Sequence, residues 1–166
     1  MPAAEYAHMK GMKVVLNLSP IPSFDIGSIS YVDYLIVNDV EAEKLLGLHH
    51  SILNDIRSAC DGLKYKYNVE NIIITLGESG YAGLEGDNYF QGSNIKVSPI
   101  VDTSGAGDGF LSAMVVQLHN GKNLMDACEW ANKYAARVVT VEGTLKGYST
   151  VEELEQFYRT RGESLE

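Results

Sequence analysis

The sequence predicts an α/β protein, a parallel-rich three-layer sheet with flanking helices, in one domain over residues 1–166. Three observations carry this. Apolar runs of strand length alternate with segments of helical periodicity. The runs are continuous rather than alternating, as in strands buried on both faces. Turn residues such as Pro20, Pro22, Gly47 and Asn120-Gly121 punctuate the boundaries.

In chain order, Ala4–Asn17, "AEYAHMKGMKVVLN", reads as the end of a helix running into a strand, as if joined in mid-fold, and strands upstream of it are expected. Lys13–Ser19 is that strand, stopped by Pro20 and Pro22. Tyr34–Asn38 is a second strand, and Val40–Leu46 turns helical with Gly47 as its stop. Between residues 52 and 67, Ile52, Ile56, Cys60, Leu63 and Tyr67 form one helical stripe. Asn71–Gly77 is a third buried strand rich in β-branched residues. Tyr81–Gly92 reads as a hairpin around Gly86-Asp87. Ile95–Val101 is expected as a further strand leading into a glycine loop. Phe110–His119 and Leu124–Val139 are helical, and Thr150-x-x-Glu153 is a capping box opening a last helix that ends near Thr160.

Composition narrows the function classes. With 13 basic and 22 acidic residues, the formal net charge is −9. A nucleic-acid backbone partner would want a basic face, so that class is set aside. A locally bound phosphate is not, because a few backbone N–H groups suffice to hold one. No apolar run approaches the roughly 20 residues of a membrane span. Cys60 and Cys128 are far apart and fit no metal spacing, which suits reduced structural thiols and a cytoplasmic location. His8, His49, His50 and His119 show no metal spacing either. Tyr65-Lys66-Tyr67 is expected to pack rather than stack on a ligand, and Trp130 to sit on a core-facing stripe.

The segment Val101–Ala113, "VDTSGAGDGFLSA", is where chemistry concentrates. No Gly-Lys-Ser/Thr closes it, and its glycines at 105, 107 and 109 do not form G-x-G-x-x-G, so neither a P-loop nor a nicotinamide-cofactor loop fits. Glycines permit close backbone approach, and a following helix aims free N–H groups and a positive dipole end at the loop. That suits an anion. Asp108 fits two readings: an ordinary first-turn helix acid, or a base for a hydroxyl that must lose its proton there. Asn38-Asp39-Val40-Glu41 and Thr75-Leu76-Gly77-Glu78-Ser79-Gly80 each follow a strand, where ligands collect in α/β sheets.

The order of these motifs resembles the ribokinase-like (PfkB) carbohydrate kinases. Asp102–Val115, "DTSGAGDGFLSAMV", matches that family's C-terminal signature at every position. "VLNLSPIP", "VDYLIVNDVEAEKLLG", "NIIITLGESGYAGL", "EWANKYAARVVTVEGT" and "YSTVEELEQF" resemble its other motifs in order, from about Gly11 to Tyr158. The signature is specific; Asn-x-x-Glu and Thr-x-Gly carry weight only through their order.

The resemblance implies an ATP-dependent kinase that moves the γ-phosphoryl group to a primary hydroxyl of a sugar or nucleoside, a ribose-like acceptor favoured. It implies that Asp108 is the base and that Gly105, Ala106 and Gly107 give N–H groups to an anion hole. It implies that Asn38 and Glu41 organise Mg²⁺ and the nucleotide phosphates. Thr75, Gly77 and Gly80 would line the phosphate and ribose side, and Asn132 would lie on the helix that covers adenine. Asp102 would help place a monovalent cation, usually K⁺, with carbonyls near Ser104, Val139, Glu142 and Gly143. An acidic chain can do this, since Mg²⁺ and helix dipoles supply the local positive field.

Two departures stand out. Family members run to roughly twice this length; the part without a counterpart here is the N-terminal half with its lid strands, a Gly-Gly turn and a sugar-gripping aspartate. A sheet edge left uncovered would call for a second copy of the chain or a complementing N-terminal half. A truncated nucleotide-binding or partner-docking module is therefore the alternative to an active kinase. Secondly, where ribokinases tend to have Gly-Ala and then Ser-x-Pro, this chain has Gly143-Thr144-Leu145-Lys146-Gly147-Tyr148-Ser149.

Overall fold

The computed structural model describes residues 2–162 and 164–165. Its contacts divide the chain into two compact units, Met1–Ser93 and Asn94–Glu166.

The first unit is built on a five-stranded mixed sheet in the order β1-β2-β3-β4-β5. Helix α1 (Pro2–Met9) buries none of its residues. It is followed by β1 (Val15–Asn17), β2 (Tyr34–Asn38), α2 (Asp39–Leu46), α3 (Ile56–Tyr67) and β3 (Asn71–Thr75). β4 (Tyr81–Glu85) and β5 (Asn88–Gly92) complete it. β1, β2 and β3 run parallel, and β3, β4 and β5 antiparallel. Two helices between two parallel strands make the crossover that the alternating sequence pattern predicts.

The apolar runs explain the burial. Leu35 and Val37 of β2 and Ile72 and Ile74 of β3 join the cluster that α3 feeds with Ile56, Cys60, Leu63 and Tyr67. Ile36 and Ile73, pointing the other way along their strands, are also buried. Burying one such side chain stabilises the fold by about 1.5–3 kcal/mol. Cys60 lies within this apolar cluster, and burial pushes its thiol up to about 12. The β4–β5 turn is Gly86-Asp87, between the paired Glu85 and Asn88, as predicted. Lys64 of α3 fastens that turn, donating to the Gly86 carbonyl at 2.9 Å and pairing with Asp87 and Glu70, each at 2.9 Å.

The second unit is helical: α4 (Ala106–His119), α5 (Leu124–Val138), the short α6 (Thr144–Gly147) and α7 (Val151–Arg159). α4 and α5 approach closely at Gly109, where a Cβ would lie 3.1 Å from Val138 Cγ2. α7 opens on the predicted capping box, Thr150 and Glu153 each bonding the other's backbone N–H. Tyr158 of α7 donates to the Lys133 carbonyl of α5 at 2.8 Å.

Five expectations are corrected, the last of them in part. Ile95–Val101 is not a strand. Pro99 has no N–H to give a ladder, and the N–H groups of Val101 and Asp102 go instead to the Val139 carbonyl, at 2.8 and 3.2 Å. The helix expected from Ile52 is broken: Ile52–Asn54 is a tight 3₁₀ turn, and Asp55 then caps α3 by accepting from Ser58 N. The strand expected over Lys13–Ser19 shortens to β1. Trp130 is half-buried, stacked on Tyr134 with ring centroids 6.0 Å apart, rather than in the core. Of the tyrosine cluster, Tyr67 packs in the core while Tyr65 is exposed.

Candidate functional site

Each unit carries a cluster of the expected site residues. In the first, parallel pairing of β2 with β3 sets Asn38 directly beside Thr75 at the carboxyl ends of the two strands. That is the edge of an α/β sheet where ligands bind. Asn38 caps α2. Its Oδ1 accepts from Glu41 N at 2.8 Å, and Glu41 Oε2 accepts from Asn38 N at 2.9 Å. This reciprocal box is why Asn-x-x-Glu works at a strand end: the first turn of the helix fixes both side chains.

Glu41 is buried to 9% exposure, yet its Oε1 has no hydrogen-bond partner among the described residues. One spare carboxylate oxygen at a strand end fits Mg²⁺, which keeps waters and substrate phosphates as its other ligands. Beyond Thr75 the chain reverses tightly. Leu76 N donates to the Gly80 carbonyl at 2.8 Å, and Gly80 holds φ +101° and ψ −124°, a conformation essentially reserved for glycine. Gly77 is exposed, and nothing lies within 4 Å of where its Cβ would be. Asn38, Glu41, Thr75, Gly77 and Gly80 are thus gathered at two neighbouring strand ends.

In the second unit, α4 begins at Ala106, four residues before the sequence suggests, so the glycine loop is itself the first turn of the helix. Gly105 is the N-cap, in the left-handed region at φ +80°. The N–H groups of Gly105, Gly107 and Asp108 have no partner among the described residues, while Ala106 N donates to the Thr103 carbonyl at 3.3 Å. Three free donors at a helix N-terminus make an anion site. The Asp108 N–H belongs to this set beside those of the expected anion-hole residues, although the sequence marks Asp108 only through its side chain. The Asp108 side chain is exposed, in the first turn of α4.

A second loop holds the first. Asp102 Oδ1 accepts from Ser104 N at 2.9 Å and Oδ2 from Gly143 N at 2.9 Å. These N–H groups, Ser104 first, hold the Asp102 carboxyl below its ordinary value. The Tyr148 hydroxyl donates to the Gly105 carbonyl at 3.4 Å. Burial raises the Tyr148 phenol, and the nearby charge of Asp108 adds to it. Asp102, Ser104, Gly105, Val139 and Gly143 are therefore assembled around one loop, with Glu142 exposed beside them.

Of the groups expected around a monovalent cation, the Ser104 and Glu142 carbonyls accept no hydrogen bond among the described residues. The Val139 carbonyl already accepts two N–H groups, the Gly143 carbonyl accepts Gly147 N at 3.0 Å, and both Asp102 oxygens are engaged. Asn132 lies on the buried stripe of α5 at 7% exposure and is bonded within the protein. Among the described residues no cluster of three or more His, Cys, Asp or Glu could hold a metal. No described helix is long and apolar enough to cross a membrane.

The chain is similar to known proteins. The model of the pfkB family of carbohydrate kinases matches residues 3–150. A ribokinase of Dictyostelium discoideum is 35% identical over 161 residues, covering 86% of this chain and 49% of that protein. A deoxyribokinase of Salmonella typhi is 30% identical, covering 93% and 50%. The crystal structure of ribokinase from Cryptococcus neoformans var. grubii in complex with ADP superposes with a TM-score of 0.78 at 27% identity, covering 93% of this chain and 55% of that one. The chain spans about half the length of the relatives it matches.

Proposed function

The chain belongs to the pfkB family of carbohydrate kinases, and on that premise we propose that it carries the nucleotide-binding and catalytic portion of an ATP-dependent sugar kinase. Both units would serve one domain and one reaction, in the cytoplasm. The ribokinase and deoxyribokinase relatives favour a ribose-like acceptor, and the ADP complex of the Cryptococcus ribokinase favours an adenine nucleotide.

Phosphoryl transfer asks mainly for positioning and charge neutralisation. Asp108 takes the proton of the acceptor's primary hydroxyl. The new O–P bond forms as the bond from the γ-phosphorus to the departing ADP oxygen breaks. The free N–H groups of Gly105, Gly107 and Asp108, with Ala106 beside them, receive the moving group's charge at the positive end of α4. Asn38 and Glu41 would organise Mg²⁺ and the nucleotide phosphates, partly through water. Mg²⁺ supplies neutralisation of phosphate charge when bound. Thr75, Gly77 and Gly80 line the phosphate and ribose side, the two glycines without side chains to obstruct it, and α5, packed through Asn132, covers the base.

The observation that carries this reading is the juxtaposition in one helical turn of unpaired N–H donors with an exposed carboxylate. A base beside an anion hole suits transfer to a hydroxyl rather than simple phosphate storage. The test is transfer from ATP to ribose, deoxyribose and a wider sugar panel by the wild type and Asp108→Asn, with nucleotide binding measured separately. Loss of a positioned base lowers turnover by about 10²–10⁴-fold, with binding retained. Near-normal turnover in Asp108→Asn would sink the assignment.

The second reading is a nucleotide-holding module, without transfer, that works with a complementing half or a second copy. Nucleotide binding by a monomer, with no ATP consumed across the sugar panel, selects that reading.

A further inference from the structure

Tyr134 stands in the second half of α5, and the reaction described above gives it no part. Its side chain is engaged on three sides. The ring lies against the first turn of α4, where a Cβ on Gly109 would come 3.4 Å from Tyr134 Cδ1 and Cε1. Trp130, one turn earlier on α5, stacks on the same ring, the two planes 17° apart. The hydroxyl accepts from Ser149 N at 2.9 Å and donates to the Ser149 carbonyl at 3.1 Å. One phenol, donor and acceptor at once, thus satisfies both backbone groups of a residue between α6 and α7.

The residue it holds leads back to the same turn. Tyr148 precedes Ser149, and its hydroxyl reaches the Gly105 carbonyl at 3.4 Å. That carbonyl accepts Gly109 N at 2.8 Å, the bond that closes the first turn of α4. Tyr134 therefore meets one end of this bond with its ring, at Gly109, and the other through Ser149 and Tyr148, at Gly105. Between the two ends stand the free N–H groups of Gly107 and Asp108 and the exposed Asp108 carboxylate. Three of the five residues from Gly105 to Gly109 are glycine, so the backbone brings little stiffness of its own. What packs on the turn has to supply it.

We propose that Tyr134 is a positioning residue for phosphate binding and transfer. It touches no substrate, and it holds the first turn of α4 so that the free N–H groups and the Asp108 carboxylate keep their mutual placement. The inference rests on that turn being the phosphate site, as proposed above, and its first readout needs no nucleotide.

The test is the NMR amide spectrum of the full chain, wild type and Tyr134→Phe, first without nucleotide and then titrated with Mg²⁺·ADP and with adenosine. Tyr134→Phe keeps the ring on Gly109 and loses the hydroxyl. Without nucleotide, the Gly105, Gly107 and Asp108 amides shift, and hydrogen exchange at Gly109 speeds by about threefold to tenfold, the weight of one hydrogen bond. A loss of global stability alone moves no native-state resonance and speeds exchange throughout α4. With nucleotide, the Kd for Mg²⁺·ADP rises by a similar factor, while that for adenosine, which has no phosphate, keeps its wild-type value. Loop resonances identical to wild type in Tyr134→Phe overturn the inference, and so does an equal weakening of ADP and adenosine. Tyr148→Phe cuts only the link from Ser149 to Gly105 and has the same expected shifts, so an unchanged loop spectrum there overturns the inference even where Tyr134→Phe fails to fold. If the wild type binds no Mg²⁺·ADP, the proposed function fails while the nucleotide-free spectra still decide this inference.

Discussion

Gly105→Ala probes whether the glycine loop is a rigid element set by its neighbours. At φ +80° and ψ 0° an alanine is in the left-handed region, which costs about 1–2 kcal/mol. The new methyl would also lie 2.4 Å from Thr144 Cγ2 and 2.9 Å from the Tyr148 hydroxyl oxygen. Overpacking of this kind costs about 1–3 kcal/mol, so the expected destabilisation is about 2–5 kcal/mol in total. Gly107, two residues on, is the internal control. Its backbone is helical and a Cβ there meets nothing within 4 Å, so Gly107→Ala should be neutral or stabilising by up to ~1 kcal/mol, while crowding the anion that the loop binds. The assay is urea unfolding followed by the single tryptophan, Trp130, stacked on Tyr134 in α5. Thr144→Ser in the Gly105→Ala background removes the nearer clash and should restore part of the loss, leaving the conformational cost. A Gly105→Ala midpoint within about 0.5 kcal/mol of wild type, or a Gly107→Ala loss of equal size, would refute the clasped geometry.

Other outcomes follow from the same structure. Asp102 is held below its ordinary value of 3.8 by the Ser104 and Gly143 N–H groups. A depressed folded-state value means that its contribution is present above about pH 4 and lost as pH falls through the folded value. Asp102→Asn should therefore flatten the acid limb of an unfolding titration. Cys60, raised by burial from 9.0 to about 12, stays a thiol in the fold. It should resist an alkylating reagent until the chain unfolds, and because the unfolded thiol ionises first, stability should decline as pH rises from about 9 towards 12. Thr150→Ala removes the cap of α7 and should cost about 1 kcal/mol in the midpoint. Leu63→Ala empties a fully buried site in the first unit and should cost about 2–5 kcal/mol, read by urea unfolding followed by far-UV circular dichroism.

Much of this was legible in local pattern. Strand β2 stands at the predicted residues, and β3 begins where predicted and ends at Thr75, two residues early, because their isoleucine and valine runs suit a sheet buried on both faces. The stripe from Ile52 to Tyr67 is buried throughout, although Asp55 breaks the helix: periodicity reports which face is buried and is blind to a cap that restarts the turn. The Thr150–Glu153 box was read for the same local reason. Long-range pairing was not legible. Asp102 finds Gly143 N and Tyr148 finds the Gly105 carbonyl across more than forty residues, and no spacing rule announces either. The Ile95–Val101 error has that origin too, since the segment's closing N–H groups are spent on Val139. The start of α4 was misplaced because glycines argue against helix in any propensity count, whereas here Gly105 supplies the cap and Gly109 the close approach to α5.

The central claim is that the glycine loop receives a nucleotide phosphate, with Asp108 beside it. Titrating the isotope-labelled chain with Mg²⁺·ADP and mapping the amide shifts tests it most directly. The expected shifts fall on Gly105–Asp108 and, in the first unit, on Asn38, Glu41 and Thr75–Gly80. Shifts confined to other residues would contradict it.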